Sequence, residues 1–218
     1  MRINLDNPFF RITSTIFDVI ATTLLFIVCC LPVVTIGAAT TAMHATMIAI
    51  ADDSCSGLLA KFFGSFKQNF KLSSLAWLIL ALVGAVAVAD VIICFGFELE
   101  TEGQILYIMR GLTIFCVALY TLVFVYVFAG IAKFEVTLKQ AFRNAMVFIT
   151  KYPLRTLGIL VINAAIVLSL YLGLIWALPV AILLLYLQEC ILNRVFNDTL
   201  GIKRRKRKSK DGGEIYYE

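Results

Sequence analysis

Residues 75–97 run for 23 positions with a single charge, Asp90. A helix of that length rises about 34 Å at ~1.5 Å per residue, enough to cross the roughly 30 Å hydrocarbon core of a bilayer. Residues 105–131 form a second stretch of the same kind, with Arg110 near its start. Residues 157–192 form a third, 36 positions long, too much for one crossing and enough for two. Gly173 lies near its middle, so a tight turn is expected at residues 172–176. Pro179 then falls in the first turns of the last helix, where a missing N–H costs least. With 61% of residues hydrophobic and 15% charged, the apolar excess cannot be hidden in one soluble core of this size.

The basic residues orient these spans, because Lys and Arg accumulate on the cytoplasmic side. The loop "ELETEG" at residues 98–103 holds Glu98, Glu100 and Glu102 and no basic residue, which places it outside. Residues 132–156 carry Lys133, Lys139, Arg143, Lys151 and Arg155, and residues 52–74 carry Lys61, Lys67 and Lys71. Both are expected inside, as are the N-terminus, with Arg2 and Arg11, and the tail "KRRKRKSK" at residues 203–210. Two cytoplasmic flanks require the apolar stretch 12–51 to cross an even number of times. Residues 12–31 make one helix and residues 35–51 a short return helix, with residues 31–37 as the outer turn. At 17 residues, about 25 Å long, the return helix either spans fully or is re-entrant. Asp18 and several threonines interrupt the start of the first segment, which reads as a retained anchor and not as a cleaved signal peptide.

The two basic inside loops are patterned. In residues 57–72, Leu59, Phe62, Phe63, Phe66 and Phe70 recur at helical spacing with the three lysines between them. In residues 134–150, Leu138, Phe142, Ala145, Met146 and Ile149 do the same against Lys139 and Arg143. Both predict amphipathic helices in the cytoplasmic interface, suited to lipid contact or to docking a partner. The expected fold is an all-α polytopic transmembrane helical bundle of about six spans. These are 12–31, 35–51, 75–97, 105–131, 157–172 and 175–193, in one domain of residues 1–202 followed by a disordered basic tail, 203–218.

Ionisable groups at membrane depth are costly and mark functional candidates. Four fall inside the expected spans: Asp18, His44, Asp90 and Glu189, with Asn163 as an uncharged addition. They form either a proton or cation path, Asp90 outside, His44 central and Asp18 with Glu189 inside, or separate hydrogen bonds between helices. On the return helix, Gly37, Thr41, Ala45 and Ala49 repeat every four residues behind Pro32, a small-residue face for close helix packing.

No Walker A loop, H-E-x-x-H, G-x-S-x-G, kinase or dinucleotide signature is present, so enzymatic activity, cofactors and metals are not expected. Cys29, Cys30, Cys55, Cys94, Cys116 and Cys190 form no C-x-x-C pair and read as small hydrophobes. Lys203, Arg204, Arg205, Lys206, Arg207 and Lys208 follow a span directly. That position reads as a topology determinant contacting anionic lipid headgroups, and not as a nucleic-acid site.

The block "LPVVTIGAATTAMHA" (31–45), followed by "FFGSFKQNFK" (62–71), with "NPFF" (7–10) and "NRVFND" (193–198), resembles the YesL-like family of bacterial membrane proteins, whose function is unknown. The resemblance runs from about Asn7 to Asp198 and implies a multi-pass protein of the bacterial inner or plasma membrane with both termini cytoplasmic. It also implies association with carbohydrate ABC-type uptake systems, by way of the permease subunits, and brings no catalytic residues. Where members often carry a small or aliphatic–aromatic pair after the alanines, this chain has Met43-His44. Two readings of function follow: a non-enzymatic accessory to such an uptake system, or a small secondary transporter or channel using the intramembrane Asp, Glu and His residues.

Overall fold

The computed structural model describes residues 8–52, 54–55, 57–96, 104–171 and 177–200. Among them are seven α-helices and no strand: α1 (Pro8–Cys29), α2 (Ile36–Ala51), α3 (Leu58–Val91), α4 (Gln104–Lys133), α5 (Leu138–Lys151), α6 (Pro153–Tyr171) and α7 (Ala177–Thr199). The fold is an all-α bundle. The acidic loop 98–103, the turn at 172–176 and the tail 203–218 lie outside the described residues.

The link from α1 to α2 follows from Pro32, which has no N–H to continue a helix and sits in an extended conformation (φ −78°, ψ 125°). A single 3₁₀ turn, Val33–Thr35, follows it. The Thr35 hydroxyl closes the tip, 2.6 Å from the Cys29 carbonyl and 2.7 Å from that of Pro32. Gly57 precedes α3 at φ +145°, a conformation that side-chain-bearing residues rarely adopt.

Two features differ from the expectation. Residues 57–72 and 75–97 are not a separate interfacial helix and span: they form one helix, with α3 continuing through a π turn to Gly96, 39 residues in all or about 58 Å. No proline or capping glycine stands between Phe70 and Leu75, and Ser73 is buried inside the bundle, so nothing interrupts the ladder. The second is the count of spans. Four helices are long and apolar enough to cross a membrane: Val33–Ala51, Leu58–Gly96, Leu106–Lys133 and Pro179–Thr199. A fifth is added if the bent pair Leu138–Lys151 and Pro153–Ser169 is taken as one span. The apolar helix Thr13–Cys29 is shorter than these.

The second interfacial helix is present as α5. Thr137 and Gln140 form a reciprocal capping box at its start, and Ala141, Ala145 and Phe148 are its buried face. It ends at Tyr152 because Pro153 disfavours helical geometry in the residue before it; Tyr152 takes φ −125°, ψ 62°, and α6 leaves at 104° to α5.

The register between α2 and α3 positions everything else. Gly37 abuts Ser73 and Trp77, and Ser74 Oγ donates to the Val34 carbonyl at 3.2 Å, while Met47 and Ile50 cluster with Phe62. So α2 runs antiparallel to the first half of α3, and the hairpin tip is level with Ser73–Trp77. Beyond the tip α3 continues for about 28 Å to Gly96. There it meets α4, through Tyr120 to the Leu80 carbonyl (3.0 Å) and Arg110 Nε to the Cys94 carbonyl (3.1 Å). The α1–α2 hairpin therefore stops halfway along α3, the geometry of a re-entrant hairpin relative to α3 and α4.

The main core joins α4, α5, α6 and α7. Tyr126, Phe128, Ile159, Leu192, Val195 and Phe196 are fully enclosed, and Phe134, Phe148 and Phe196 pack edge to face and stacked. By contrast, only 11% of the most apolar stretch of α3 is buried, leaving Leu78, Leu82, Val86 and Ile92 on an outward apolar face. A surface of that kind is stable in lipid and a liability in water.

Candidate functional site

The most enclosed helix of the bundle is α2. From Gly37 to Ile50 every residue is buried, which a helix apolar on all sides requires. Its small residues permit this. Ala38, Ala39 and Ala42 have no exposed surface, Ala45 and Ala49 very little, and a Cβ on Gly37 would stand 2.3 Å from the Ser73 carbonyl oxygen. Thr40, Thr41 and Thr46 return their hydroxyls to carbonyls one turn back, so most of the helix's polarity is satisfied internally. The hydroxyls of Thr41 and Ser73 also meet at 2.7 Å, pinning α2 to α3.

His44 cannot be satisfied in that way, and its partner is Glu189. Nδ1 of His44 lies 2.6 Å from Oε1 of Glu189, with side-chain exposures of 3% and 0%. Either an imidazole N–H donates to the carboxylate or a carboxyl O–H donates to the ring nitrogen; in both forms one proton bridges the two atoms. Glu189 Oε2 is buried with no hydrogen-bond partner. An ionisable pair this deep, with one oxygen unsatisfied, is costly to keep and is a functional candidate on that ground.

A second polar group lies one helical turn along α7. Asn193 is fully buried; its amide nitrogen donates to Asp52 Oδ1 at 2.6 Å, and its carbonyl oxygen accepts from Lys133 Nζ at 3.3 Å. Lys133 also pairs with Asp52 at 3.2 Å. Thus the ends of α2 and α4 are tied to the middle of α7. Lys133 and Asp52 keep 22% and 26% of their side-chain surface exposed, so this cluster opens to the surface where the His–Glu pair does not. On the neighbouring face of α7, Gln188 accepts from Asn163 Nδ2 at 2.8 Å, joining α6.

Of the four acidic and imidazole candidates the structure brings together two. Asp18 on α1 is half-buried and outside the described contacts of the pair. Asp90 is exposed on the second half of α3, where Cys94 Sγ donates to it at 3.8 Å. The four do not form one path. Thr41, Ala45 and Ala49 lie within the buried α2, Pro32 and Gly37 at and just beyond the tip. Lys203, Arg204, Arg205, Lys206, Arg207 and Lys208 lie outside the described residues. The Asp52–Lys133–Asn193 cluster was missed: in sequence, Asp52 and Lys133 are loop-edge charges and Asn193 one polar residue after an apolar run. Asn193 falls four residues after Glu189, the same-face spacing of a helix, and that was the available signal. No group of three or more His, Cys, Asp or Glu side chains among the described residues is arranged to hold a metal ion.

Residues 19–91, about a third of the chain, match a family described as "Protein of unknown function, DUF624". The matched part holds most of α1, the hairpin tip, α2 and α3 up to Val91, and so includes the Gly37 clasp and His44 but not Glu189. No curated protein and no solved structure matches the chain.

Proposed function

We propose that this chain is a non-enzymatic integral membrane component of a bacterial carbohydrate uptake system of the ABC type, the role that the YesL-like resemblance implies. The observation that supports a partner-binding role is the first half of α3. Its inner face, Phe62 and Ser65, is clamped on α2, while Leu59, Lys61, Phe63 and Lys67 face outward on a continuous helix. Beside them a groove of about 460 Å³ is lined by Phe66, Lys67, Gln68, Phe70 and Lys71. Aromatic side chains interleaved with cations on a rigid support suit a protein or lipid-headgroup contact better than they suit a small-molecule reaction. In vivo crosslinking from a photoreactive residue at Phe63 tests the reading: it predicts recovery of a permease subunit, and recovery of lipid alone would overturn it.

The His44–Glu189 pair favours a second reading, a small secondary transporter coupled to protons. Here Glu189→Gln abolishes a solute or proton flux in liposomes while the protein stays folded. Wild-type protein that carries no flux of sugars, protons or cations would remove this reading for those solutes.

A further inference from the structure

We infer that the His44–Glu189 pair is a proton-binding site that exchanges its proton with the Lys133 end of the bundle, by way of Asn193 and Asp52. The inference goes beyond both readings above, since it does not require the chain to move a solute or to hold a partner.

Three observations carry it. The first is the pair itself. With one proton bridging Nδ1 and Oε1 the site is neutral overall, and removal of that proton leaves one negative charge on a fully enclosed carboxylate. The unpartnered Oε2 is the atom on which an incoming proton has a free lone pair to bind. The exchange is simple in its balance: a water-borne proton adds to the carboxylate and the same site returns a proton to water, with no other bond made or broken.

The second is direction. Glu189 and Asn193 lie on one face of α7, about 6 Å apart along the axis. Asn193 is bonded to Asp52 and Lys133, and these two reach the surface. A buried amide with one donor and one acceptor engaged, next to a half-exposed carboxylate and ammonium, is a short polar connection from the surface to the pair. Toward the hairpin tip the surroundings are apolar instead: Met43 and Met47 pack with Ile182 and the ring of Tyr186, and Gly37 is closed on Ser73 and Trp77.

The third is the electrostatic setting. Around α2 the titratable groups near this end are Asp18 on α1, Lys133 on α4, and Tyr186, Cys190 and Arg194 on α7. On α3 they are Lys61, Lys67 and Lys71, all exposed. Of these, Lys133 has described bonds to the connection, and as a cation at its mouth it sets the charge that an entering proton meets.

His44 is the only histidine of the chain, so its imidazole is a single-site reporter. The test is nuclear magnetic resonance of full-length protein labelled with ¹⁵N-histidine, in lipid nanodiscs, titrated across the range in which imidazole changes charge. The inference predicts that the ring resonances respond to pH. It also predicts that Asn193→Leu and Lys133→Met each slow proton exchange at the ring by about tenfold, equivalent to about 1.4 kcal/mol of barrier. Thr41→Val, on the opposite side of His44 on α2, leaves the exchange rate unchanged. Should Asn193→Leu fail to fold, the partly exposed Lys133→Met still decides. Ring resonances that ignore pH in the wild-type protein would overturn the site. Exchange rates equal to wild type in the folded variants would overturn the route.

Discussion

Gly37→Ala introduces one methyl group at the closest approach of two helices. Its carbon would lie 2.3 Å from the Ser73 carbonyl oxygen, 2.7 Å from Trp77 Cβ and 2.9 Å from the Ser73 carbonyl carbon. Two of these atoms are backbone, so no rotamer change relieves the overlap, and α2 must back away from α3 by about 1 Å. Forced overpacking of this kind costs about 1–3 kcal/mol. Moving the helices apart also stretches the Thr41–Ser73 hydrogen bond, now 2.7 Å, which contributes about 0.5–1.5 kcal/mol. Against this, alanine is the better helix former by about 1 kcal/mol. The net is a loss of about 1–3 kcal/mol, and for a chain of this size each kcal/mol lowers Tm by about 2–4 °C. Differential scanning fluorimetry in nanodiscs measures it. Two other glycines are controls. Gly64→Ala meets nothing within 4 Å and is expected to be neutral or stabilising. Gly84→Ala meets the Tyr120 ring tip at 2.5 Å, a side chain that can turn aside, at the expense of its bond to Leu80. A Gly37→Ala protein as stable as wild type, with Gly64→Ala also unchanged, would refute the clasp and with it the α2–α3 register.

Other outcomes follow from the same contacts. Glu189→Gln and His44→Ala each leave a buried polar partner stranded and are expected to destabilise by about 3–5 kcal/mol, whereas His44→Leu combined with Glu189→Leu is milder than either. A double-mutant cycle read by thermal unfolding checks the sign of that coupling. Pro153→Ala restores the missing N–H and removes the restriction on Tyr152. Spin-label distances between α5 and α6 should therefore broaden toward angles straighter than 104°. Thr137→Ala removes half of the capping box and is expected to cost α5 about 1 kcal/mol, seen as faster amide exchange in residues 138–141.

The helices were legible because their signal is local. The apolar stretches 75–97 and 105–131 needed only length and hydropathy, and the fence around α5 needed only Thr137, Gln140 and Pro153. What was illegible was relation. Ser73 and Ser74 read as a polar gap between a surface helix and a span, yet Ser73 is enclosed because Gly37, far back in the sequence, presses on it. Loop charge counts assume that each apolar stretch of bilayer length crosses the same slab. Residues 12–51 break that assumption, since their hairpin is paired with the half of α3 that carries Lys61, Lys67 and Lys71. His44 posed the same difficulty in sharper form. Its environment depends on Glu189, 145 positions away, and no pattern within either segment announces the pairing.

The position of α2 gives these separate facts one physical cause. A helix enclosed on every side must have neighbours that come close, and small residues are what allow α1, α3, α4 and α7 to do so. Close packing excludes water, which raises the cost of any polar group left without a partner. Each polar side chain on α2 is accordingly bonded, to its own helix in Thr40 and Thr46, to α3 in Thr41, to α7 in His44. The exception is the far oxygen of Glu189. A structural role would be served as well by a glutamine, which gives His44 a partner without a charge to bury, or by an apolar pair. A carboxyl group differs from those alternatives in one property, that it gains and loses a proton, and the polar side chains that lead from it to the surface run toward Lys133 alone among the described contacts.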